Sequence, residues 1–152
     1  MKLEEEIKQK KFRNEYHKLA VNILYTHGWL VNHHTEHLKK SGITGAQYNI
    51  LRILRGQYPN PASVNLLKER MLDKMSDVSR LVERLLQKDL VDRKICPYDR
   101  RRVEVVITKK GLELLEDIDK HDDEADKIFN KLSSTEAKFL NELLDKMRGY
   151  EK

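Results

Sequence analysis

The apolar residues of this chain change their spacing near residue 90 and again after residue 108, and this change limits the folds that the chain can adopt. In "LVDRKICP", Val91 and Ile95 lie on one side of an alternating pattern, and in "RVEVVIT" that side is formed by Val103, Val105 and Ile107. Alternation of this kind predicts two β-strands. The polar residues 97–101 between them favour a turn, so the pattern predicts a β-hairpin with a charged tip.

The chain before the hairpin has the three- and four-residue apolar spacing of amphipathic helices. We expect a first helix over residues 7–40, with an apolar stripe formed by Tyr16, Ala20, Ile23, His27, Leu30, His34 and Leu38. Thr44 and Gln47 form a capping-box pattern at the start of a second helix. Ser63 is expected to cap a short third helix, "VNLLKERML", and Asp73 to cap a fourth, "KMSDVSRLVERLLQK".

Helical spacing resumes after the hairpin. Thr108 is expected to cap one long helix, whose apolar residues are Leu115, Ile118, Ala125, Ile128, Phe129 and Leu132. "SSTE" at residues 133–136 is a second capping-box pattern, and Gly149 is expected to end the last helix. The predicted fold class is therefore α+β and mostly helical.

Length and composition limit the classes of protein to which the chain can belong. Its 152 residues argue for one domain, or for one domain with helical extensions. No apolar run approaches the roughly 20 residues that a membrane span needs, and the N-terminal residues lack the apolar core of a secretory signal. Cys96 is the single cysteine, which excludes an intrachain disulfide. We therefore expect a cytoplasmic protein that does not associate with a membrane.

Basic residues are concentrated before residue 111. Residues 68–110 contain thirteen Lys and Arg against eight Asp and Glu, whereas residues 111–152 contain seven against twelve. This asymmetry favours a surface that binds a polyanion. Solvated helix faces with an uneven distribution of charge are the alternative.

The helix predicted over residues 74–88 has one apolar and one polar face. At about 100° per residue, the apolar face is formed by Met75, Val78, Leu81, Val82, Leu85 and Leu86. Arg80 lies opposite, with Ser76, Asp77 and Ser79 beside it at the N-terminal end. Short hydrogen-bonding side chains and an arginine that can bond guanine O6 and N7 are suited to reading base edges. An ordinary solvated helix face is the alternative.

Three successive arginines, Arg100, Arg101 and Arg102, occupy the predicted tip of the hairpin. Their mutual repulsion is unfavourable in the free protein, and phosphates would relieve it. A narrow minor groove concentrates negative potential and attracts arginine. Asp99 is expected to pair with one of these guanidinium groups and fix the loop. Helix face and hairpin together predict binding to double-stranded DNA; the alternative is a helical interaction module that kept the fold but lost DNA binding.

The segment "SDVSRLVERLLQKDLVDRKICPYDRRRVEVVITKKGLELL" closely resembles the MarR family of bacterial winged helix-turn-helix transcriptional regulators. The matching motifs are the helix from Ser76 to Arg84, "LVDR" at 90–93, "DRR" at 99–101 and "TKKG" at 108–111. The flanking helices agree in number and order, so the resemblance covers nearly the whole chain. The glycine that usually follows the recognition helix is Asp89 here, and Asp can supply a positive φ at a modest cost.

The resemblance implies a homodimer whose N- and C-terminal helices, residues 1–42 and 112–150, interlock, with a winged-helix lobe at residues 44–110. It also implies a pseudo-palindromic operator and, usually, repression that a small molecule or oxidation relieves. Combined with the helix face and the hairpin, it assigns DNA contacts to Ser76, Asp77, Ser79, Arg80, Arg84, Arg93, Lys94, Asp99, Arg100, Arg101 and Arg102.

Other groups of chemically active side chains give weaker signals. His33 and His37 are one helical turn apart, but no further cluster completes a ligand set, so no metal is expected. Trp29, His33 and Tyr48 could line a pocket for a small effector, with core packing of the aromatic residues as the alternative. Cys96 is expected to be an ordinary strand residue. No catalytic motif or phosphate-binding glycine loop occurs, so we expect neither an enzyme nor a bound cofactor.

Overall fold

The computed structural model describes residues 1–150. The chain divides into two compact units, which meet in sequence between Glu116 and Asp117. This division differs from the predicted lobe at residues 44–110, whose bounds remain a prediction. Among the described residues, no helix has both the length and the apolar character needed to cross a membrane.

The first unit begins with three helices and a helical turn. They are α1 (Leu3–Glu6), α2 (Glu15–Leu38), a 3-10 turn (Lys39–Ser41) and α3 (Gly45–Gln57). The predicted start of the first long helix at residue 7 is wrong, because the side chain of Asn14 accepts a hydrogen bond from the His17 N–H and α2 begins there. After α2, Gly42 takes the left-handed conformation predicted for it, with φ 68°.

Two further helices and a three-stranded antiparallel sheet follow. They are β1 (Ala62–Ser63), α4 (Val64–Arg70), α5 (Val78–Gln87), β2 (Val91–Cys96) and β3 (Asp99–Ile107). The strand order is β1-β3-β2, with Val105 paired to Ala62 on one side and to Arg93 on the other. The predicted hairpin is confirmed, but the predicted turn over residues 97–101 is too long: only Pro97 and Tyr98 form the turn, and β3 already begins at Asp99.

Helices after the hairpin are shorter than the sequence predicts. They are α6 (Lys109–Asp119), α7 (Asp122–Asp126), a 3-10 turn (Lys127–Phe129) and α8 (Ser134–Met147). The expectation of one helix from Thr108 to Leu132 is wrong, because α6 ends in a turn where the His121 N–H donates to the Ile118 carbonyl (2.9 Å). The acidic residues 122–124 then start α7, where the positive end of the helix dipole favours them.

Local capping signals determine most of the helix starts. The predicted hydroxyl caps each accept a hydrogen bond from the N–H three residues further on: Thr44, Ser63, Thr108 and Ser133. The prediction that Asp73 caps the fourth helix is wrong. α5 begins at Val78 with Asp77 as its cap, and Asp73 instead accepts a hydrogen bond from the Met75 N–H within the preceding loop.

The core of the first unit lies among α3, α5 and the sheet. Its fully buried side chains are Leu38, Ile50, Leu51, Leu54, Leu67, Val78, Leu85, Val91, Val105 and Leu115. Met75, predicted to belong to the apolar face of the fourth helix, is 91% exposed. The prediction is wrong because α5 starts at Val78, three residues after Met75, and leaves Met75 in the loop.

Two backbone positions fix the junction between α5, the sheet and α6. Asp89 has φ 57°, so it takes the left-handed conformation that the sequence suggested for this glycine-like position. Gly111 is buried, and a Cβ added to it would lie 2.4 Å from the Leu90 carbonyl oxygen and 2.6 Å from Ile107 Cγ1. The start of α6 therefore approaches the sheet at a distance that only glycine allows.

Candidate nucleic-acid interface

α5 packs an apolar face into the core and presents a polar face to solvent. Val78, Val82 and Leu85 are no more than 3% exposed. The exposed residues on the other side are Ser79, Arg80, Glu83, Arg84 and Gln87. Three of the residues predicted to contact DNA therefore share the solvent-facing side of one helix, namely Ser79, Arg80 and Arg84.

Asp77 organises the N-terminal end of α5. Its carboxylate accepts a hydrogen bond from the Arg80 N–H at 3.2 Å, which satisfies one of the donors left open at a helix start. Ser76 precedes the helix and is half-buried, so Ser76 and Asp77 lie at the helix start rather than along its face. The remaining N–H groups and the helix dipole favour an anion at this end.

α4 and α5 are joined by residues 71–77 and form a helix-turn-helix. The Leu72 N–H donates to Asn49 Oδ1 at 2.9 Å, which ties the turn to α3. The Met75 N–H donates to Asp73 Oδ1 at 2.9 Å, which closes a tight turn just before α5. The start of α5 is therefore held by side-chain bonds on both sides of the connection.

The arginine run lies in the first residues of β3, directly after the turn of the hairpin. Arg100, Arg101 and Arg102 are all exposed. Asp99 accepts a hydrogen bond from the backbone N–H of Arg101 at 2.9 Å. The prediction that Asp99 pairs with a guanidinium group is therefore wrong, because the N–H two residues further on reaches its carboxylate first.

An ion pair joins the hairpin to α5. Arg93 on β2 donates through Nη2 to Glu83 Oε2 on α5, and the two side chains are 45% and 55% exposed. Sequence analysis missed this role for both residues. Their ten-residue separation matches no helical or strand spacing, so only the tertiary fold reveals the contact.

The other cations predicted to contact DNA on α5 and the hairpin form no ion pair with a carboxylate in the described chain. Within residues 1–150, no salt bridge involves Arg80, Arg84, Lys94, Arg100, Arg101 or Arg102. Lys94 is exposed on β2, opposite Glu104 in the sheet register. The helix-turn-helix and the hairpin therefore expose uncompensated positive charge on adjacent elements.

The residues predicted for an effector pocket belong to two separate ring pairs. Trp29 stacks edge-on against His33, with centroids 4.7 Å apart, and Tyr48 stacks against His34 at 5.4 Å. Trp29 also lines an open cavity of about 300 Å³, together with Met1, Leu3, Glu6, Asn22, Tyr25 and Thr26. Neither His33 nor Tyr48 lines that cavity.

Histidine and cysteine side chains add no further site among the described residues. Partial burial, and to a smaller extent the neighbouring His37, lower the pKa of His34. Cys96 is a buried, unpaired cysteine at the end of β2. Across residues 1–150, no three His, Cys, Asp or Glu side chains are grouped so that they could hold a metal ion.

A helix-turn-helix followed by a hairpin that carries basic residues defines the winged helix-turn-helix class. Residues 41–102 match the model of the MarR family, and this match spans α3, the helix-turn-helix and most of the hairpin. The chain is therefore similar to the MarR family over these elements.

Relatives that align over nearly the whole chain agree with this similarity. The HTH-type transcriptional regulator MhqR of Bacillus subtilis (strain 168) is 28% identical over 131 residues, which cover 86% of this chain and 89% of MhqR. A mutant MarR of E. coli, solved in complex with operator DNA, is 25% identical with a TM-score of 0.78 and covers 91% of this chain and 99% of its own. A MarR-like regulator from Bacillus cereus ATCC 10987 has a TM-score of 0.79 at 21% identity, over 88% of this chain and 96% of its own. The predicted winged-helix fold is confirmed.

Proposed function

We propose that this protein is a transcription regulator that binds double-stranded DNA sequence-specifically as a homodimer. The observation that carries the proposal is the exposure of arginines without carboxylate partners on two adjacent elements, α5 and the β2–β3 hairpin. The relatives support it, since MhqR is a transcriptional regulator and the E. coli MarR was solved with operator DNA. α5 then enters the major groove and the hairpin lies over the neighbouring minor groove.

Arg80 is the residue that we assign to base reading. It lies on the exposed face within the first turn of α5, where recognition helices contact base edges, and its guanidinium can bond guanine O6 and N7 together. Ser76 and Ser79 supply short hydrogen-bonding groups beside it, and Asp77 contributes by capping the helix. Arg84, one turn further along α5, is assigned to the phosphate backbone.

The hairpin supplies the minor-groove and phosphate contacts. Arg100, Arg101 and Arg102 repel one another in the free protein, and bound DNA removes this repulsion. Asp99 fixes the start of β3 through the Arg101 N–H. Lys94 adds charge from β2, and Arg93 has further guanidinium N–H groups for a phosphate besides the one given to Glu83.

A second copy of the chain covers the apolar faces that a single copy leaves exposed. On α8 these side chains are 45–60% exposed, namely Phe139, Leu140, Leu143 and Met147. On one side of α2 they are Tyr16, Leu19, Leu24, Leu30 and Val31. Contiguous exposed apolar surface marks interaction sites, and two-fold symmetry buries the same surface on both copies. Such a dimer presents two α5 helices to a pseudo-palindromic operator.

We assign a small-molecule effector that relieves repression to the cavity at Trp29. Its volume of about 300 Å³ lies at the lower end of the range of ligand pockets. His33 holds the Trp29 ring edge-on, whereas Tyr48 lies in the separate pair with His34. Because Trp29 is the only tryptophan of the chain, a change in its fluorescence reports binding of a candidate effector.

The test compares two variants that remove the same charge from different places. One replaces Arg100, Arg101 and Arg102 with alanine, and the control replaces the exposed residues Lys127, Lys131 and Lys138. Each phosphate that is neutralised contributes about −0.9 to the slope of log affinity against log salt. The arginine variant should flatten this slope by several units, and the lysine control should leave it near the wild-type value.

Equal salt slopes for the two variants would show that the hairpin arginines do not contact DNA phosphates. Failure of the wild type to bind any duplex of a randomised pool at low salt would favour the interaction module instead. Base reading has its own test. Arg80→Ala should remove about 1–3 kcal/mol of discrimination in binding free energy at one base-pair position of the preferred site and change the discrimination at other positions little. A uniform loss on every sequence would place Arg80 on the phosphate backbone.

A further inference from the structure

Two large apolar side chains lie almost completely in solvent within the turn of the helix-turn-helix. Leu72 is 89% exposed and Met75 is 91% exposed, whereas Met71 beside them is 2% exposed. A side chain so far from the core contributes almost nothing to folding. Met75 is therefore available for contacts outside the chain.

Hydrogen bonds hold Met75 in this position. Its N–H donates to Asp73 Oδ1 at 2.9 Å, and the following N–H, that of Ser76, donates to the Asp73 carbonyl at 3.2 Å. Asp77 then fixes the first turn of α5. Met75 thus lies in a hydrogen-bonded turn just before the N-terminus of α5. The backbone of this turn is fixed, and the Met75 side chain points into solvent.

The surroundings of Met75 fit nucleic acid better than an apolar protein surface. Arg70 ends α4, Lys74 precedes Met75 directly, and Arg80 follows in the first turn of α5. All three side chains are exposed. Asp73 and Asp77 also flank Met75, but each carboxylate accepts a hydrogen bond from a backbone N–H. An exposed apolar group with exposed cations beside it matches the major groove, where phosphates flank base edges and the only apolar group is the C5-methyl of thymine.

We propose that Met75 contacts the C5-methyl group of a thymine in each half of the DNA site, and so acts as a specificity-determining residue. This inference rests on the proposed function. The unbranched thioether adapts its shape to a methyl group, and the contact removes apolar surface of both groups from water. Met75 precedes the N-terminal end of α5, the end that meets base edges in this class of protein.

The experiment removes the methyl group and nothing else. A duplex is selected from a randomised pool with the full-length chain, and each thymine in it is replaced singly by deoxyuridine. At one thymine position in each half-site, this replacement should lower the affinity of the wild-type protein for the duplex about fourfold. Fourfold is the factor that corresponds to the burial of one methyl-sized group. Met75→Ala should bind the thymine and deoxyuridine duplexes equally at that position, and Met75→Leu should still distinguish them.

Leu72→Ala provides the matched control, because Leu72 is equally exposed in the same turn but five residues before the cap of α5. It should keep the wild-type response to deoxyuridine. The inference is overturned if no thymine methyl matters, if Met75→Ala still senses the methyl, or if Leu72→Ala rather than Met75→Ala abolishes the response. Absence of any selected duplex would instead refute the proposed function itself, so the two failures are distinguishable.

Discussion

The elements from α3 to β3, here called the winged-helix region, bury their apolar side chains, whereas α7 and α8 leave theirs exposed. Leu54, Leu67 and Leu85 of the winged-helix region are at most 1% exposed. Leu140 and Leu143 of α8 are 46% and 45% exposed, and neither α7 nor α8 has a buried residue. Leucine side chains thus stabilise the chain by burial in one region and remain about half exposed in the other.

This difference indicates where each region obtains its stability. Contacts within the winged-helix region stabilise it at any protein concentration. An amphipathic helix such as α8 gains most of its stability by packing its apolar face, so it depends on the partner that covers this face. If the partner is a second copy, its stability depends on concentration through the association equilibrium. Substitutions in the two regions should therefore be distinguishable by dilution.

Leu143→Glu should have the largest effect, the loss of the dimer. A charge in the centre of a buried apolar interface costs more than a truncation, and truncations at interface hot spots already cost about 2 kcal/mol or more. Symmetry places the change in both copies. Sedimentation should shift from twice the 18.0 kDa chain mass to the chain mass at micromolar concentration. Asn141→Glu, on the other side of α8, should remain dimeric; a dimeric Leu143→Glu protein would show that α8 does not form the interface.

Leu85→Ala should lower the free energy of unfolding by about 2–5 kcal/mol, because it opens a cavity at a fully buried position of α5. Denaturant unfolding at two protein concentrations measures the change. The loss should be the same at both concentrations, unlike the effect of Leu140→Ala on α8, which should shrink on dilution as the wild-type dimer itself dissociates. A concentration-dependent loss for Leu85→Ala would mean that the winged-helix region also relies on the partner.

Gly111→Ala should destabilise the winged-helix region by about 3 kcal/mol, the upper part of the range for overpacking. The new Cβ would lie 2.4 Å from a backbone oxygen, that of Leu90, which cannot rotate away. Thermal unfolding provides the measurement. Gly56→Ala is the control, because a Cβ there meets nothing within 4 Å and should stabilise α3 slightly. Equal melting temperatures for Gly111→Ala and the wild type would show that α6 can move away from the sheet without cost.

His34 should give the smallest effect, and it tests the contact of α2 with α3 inside the first unit. Burial and His37 lower its pKa from the ordinary 6.5, so the unfolded chain binds a proton that the folded chain resists. The neutral His34 ring therefore contributes stability at pH 7.5 that is lost as the pH falls below 6.5 toward the lowered pKa. The difference in unfolding free energy between the wild type and His34→Gln should shrink over that interval. A constant difference would contradict the burial of the ring against Tyr48.

Sequence patterns predicted the parts of the fold that depend on neighbouring residues. The caps at Thr44, Ser63 and Ser133 and the hairpin of β2 and β3 each require only local spacing, and the structure confirms them. Asp73 and Asp77 both precede the same helix with a suitable side chain, so the pattern could not choose between them. Because Asp77 rather than Asp73 caps the helix, Met75 lies on the surface instead of in the predicted core.

Tertiary contacts explain what the sequence could not predict in the candidate interface. The exposed face around Arg80 follows from helical periodicity, so it was predictable. The pairing of Glu83 with Arg93 depends on how β2 lies against α5, and no spacing rule encodes that contact. The separation of Trp29 and Tyr48 into two ring pairs likewise depends on packing between helices.

The bond between Glu83 and Arg93 has a kinetic consequence for any DNA complex. By restraining the hairpin relative to α5 before encounter, it reduces the conformational entropy lost on binding, which lengthens the residence time more than it raises the association rate. The pair is about half exposed, so its own strength is at most about 1 kcal/mol and dissolved ions screen it. Rising ionic strength should therefore weaken the Glu83–Arg93 ion pair, while the added cations also compete with the protein for the phosphates. Dissociation should then accelerate with salt more steeply than the number of phosphate contacts alone implies.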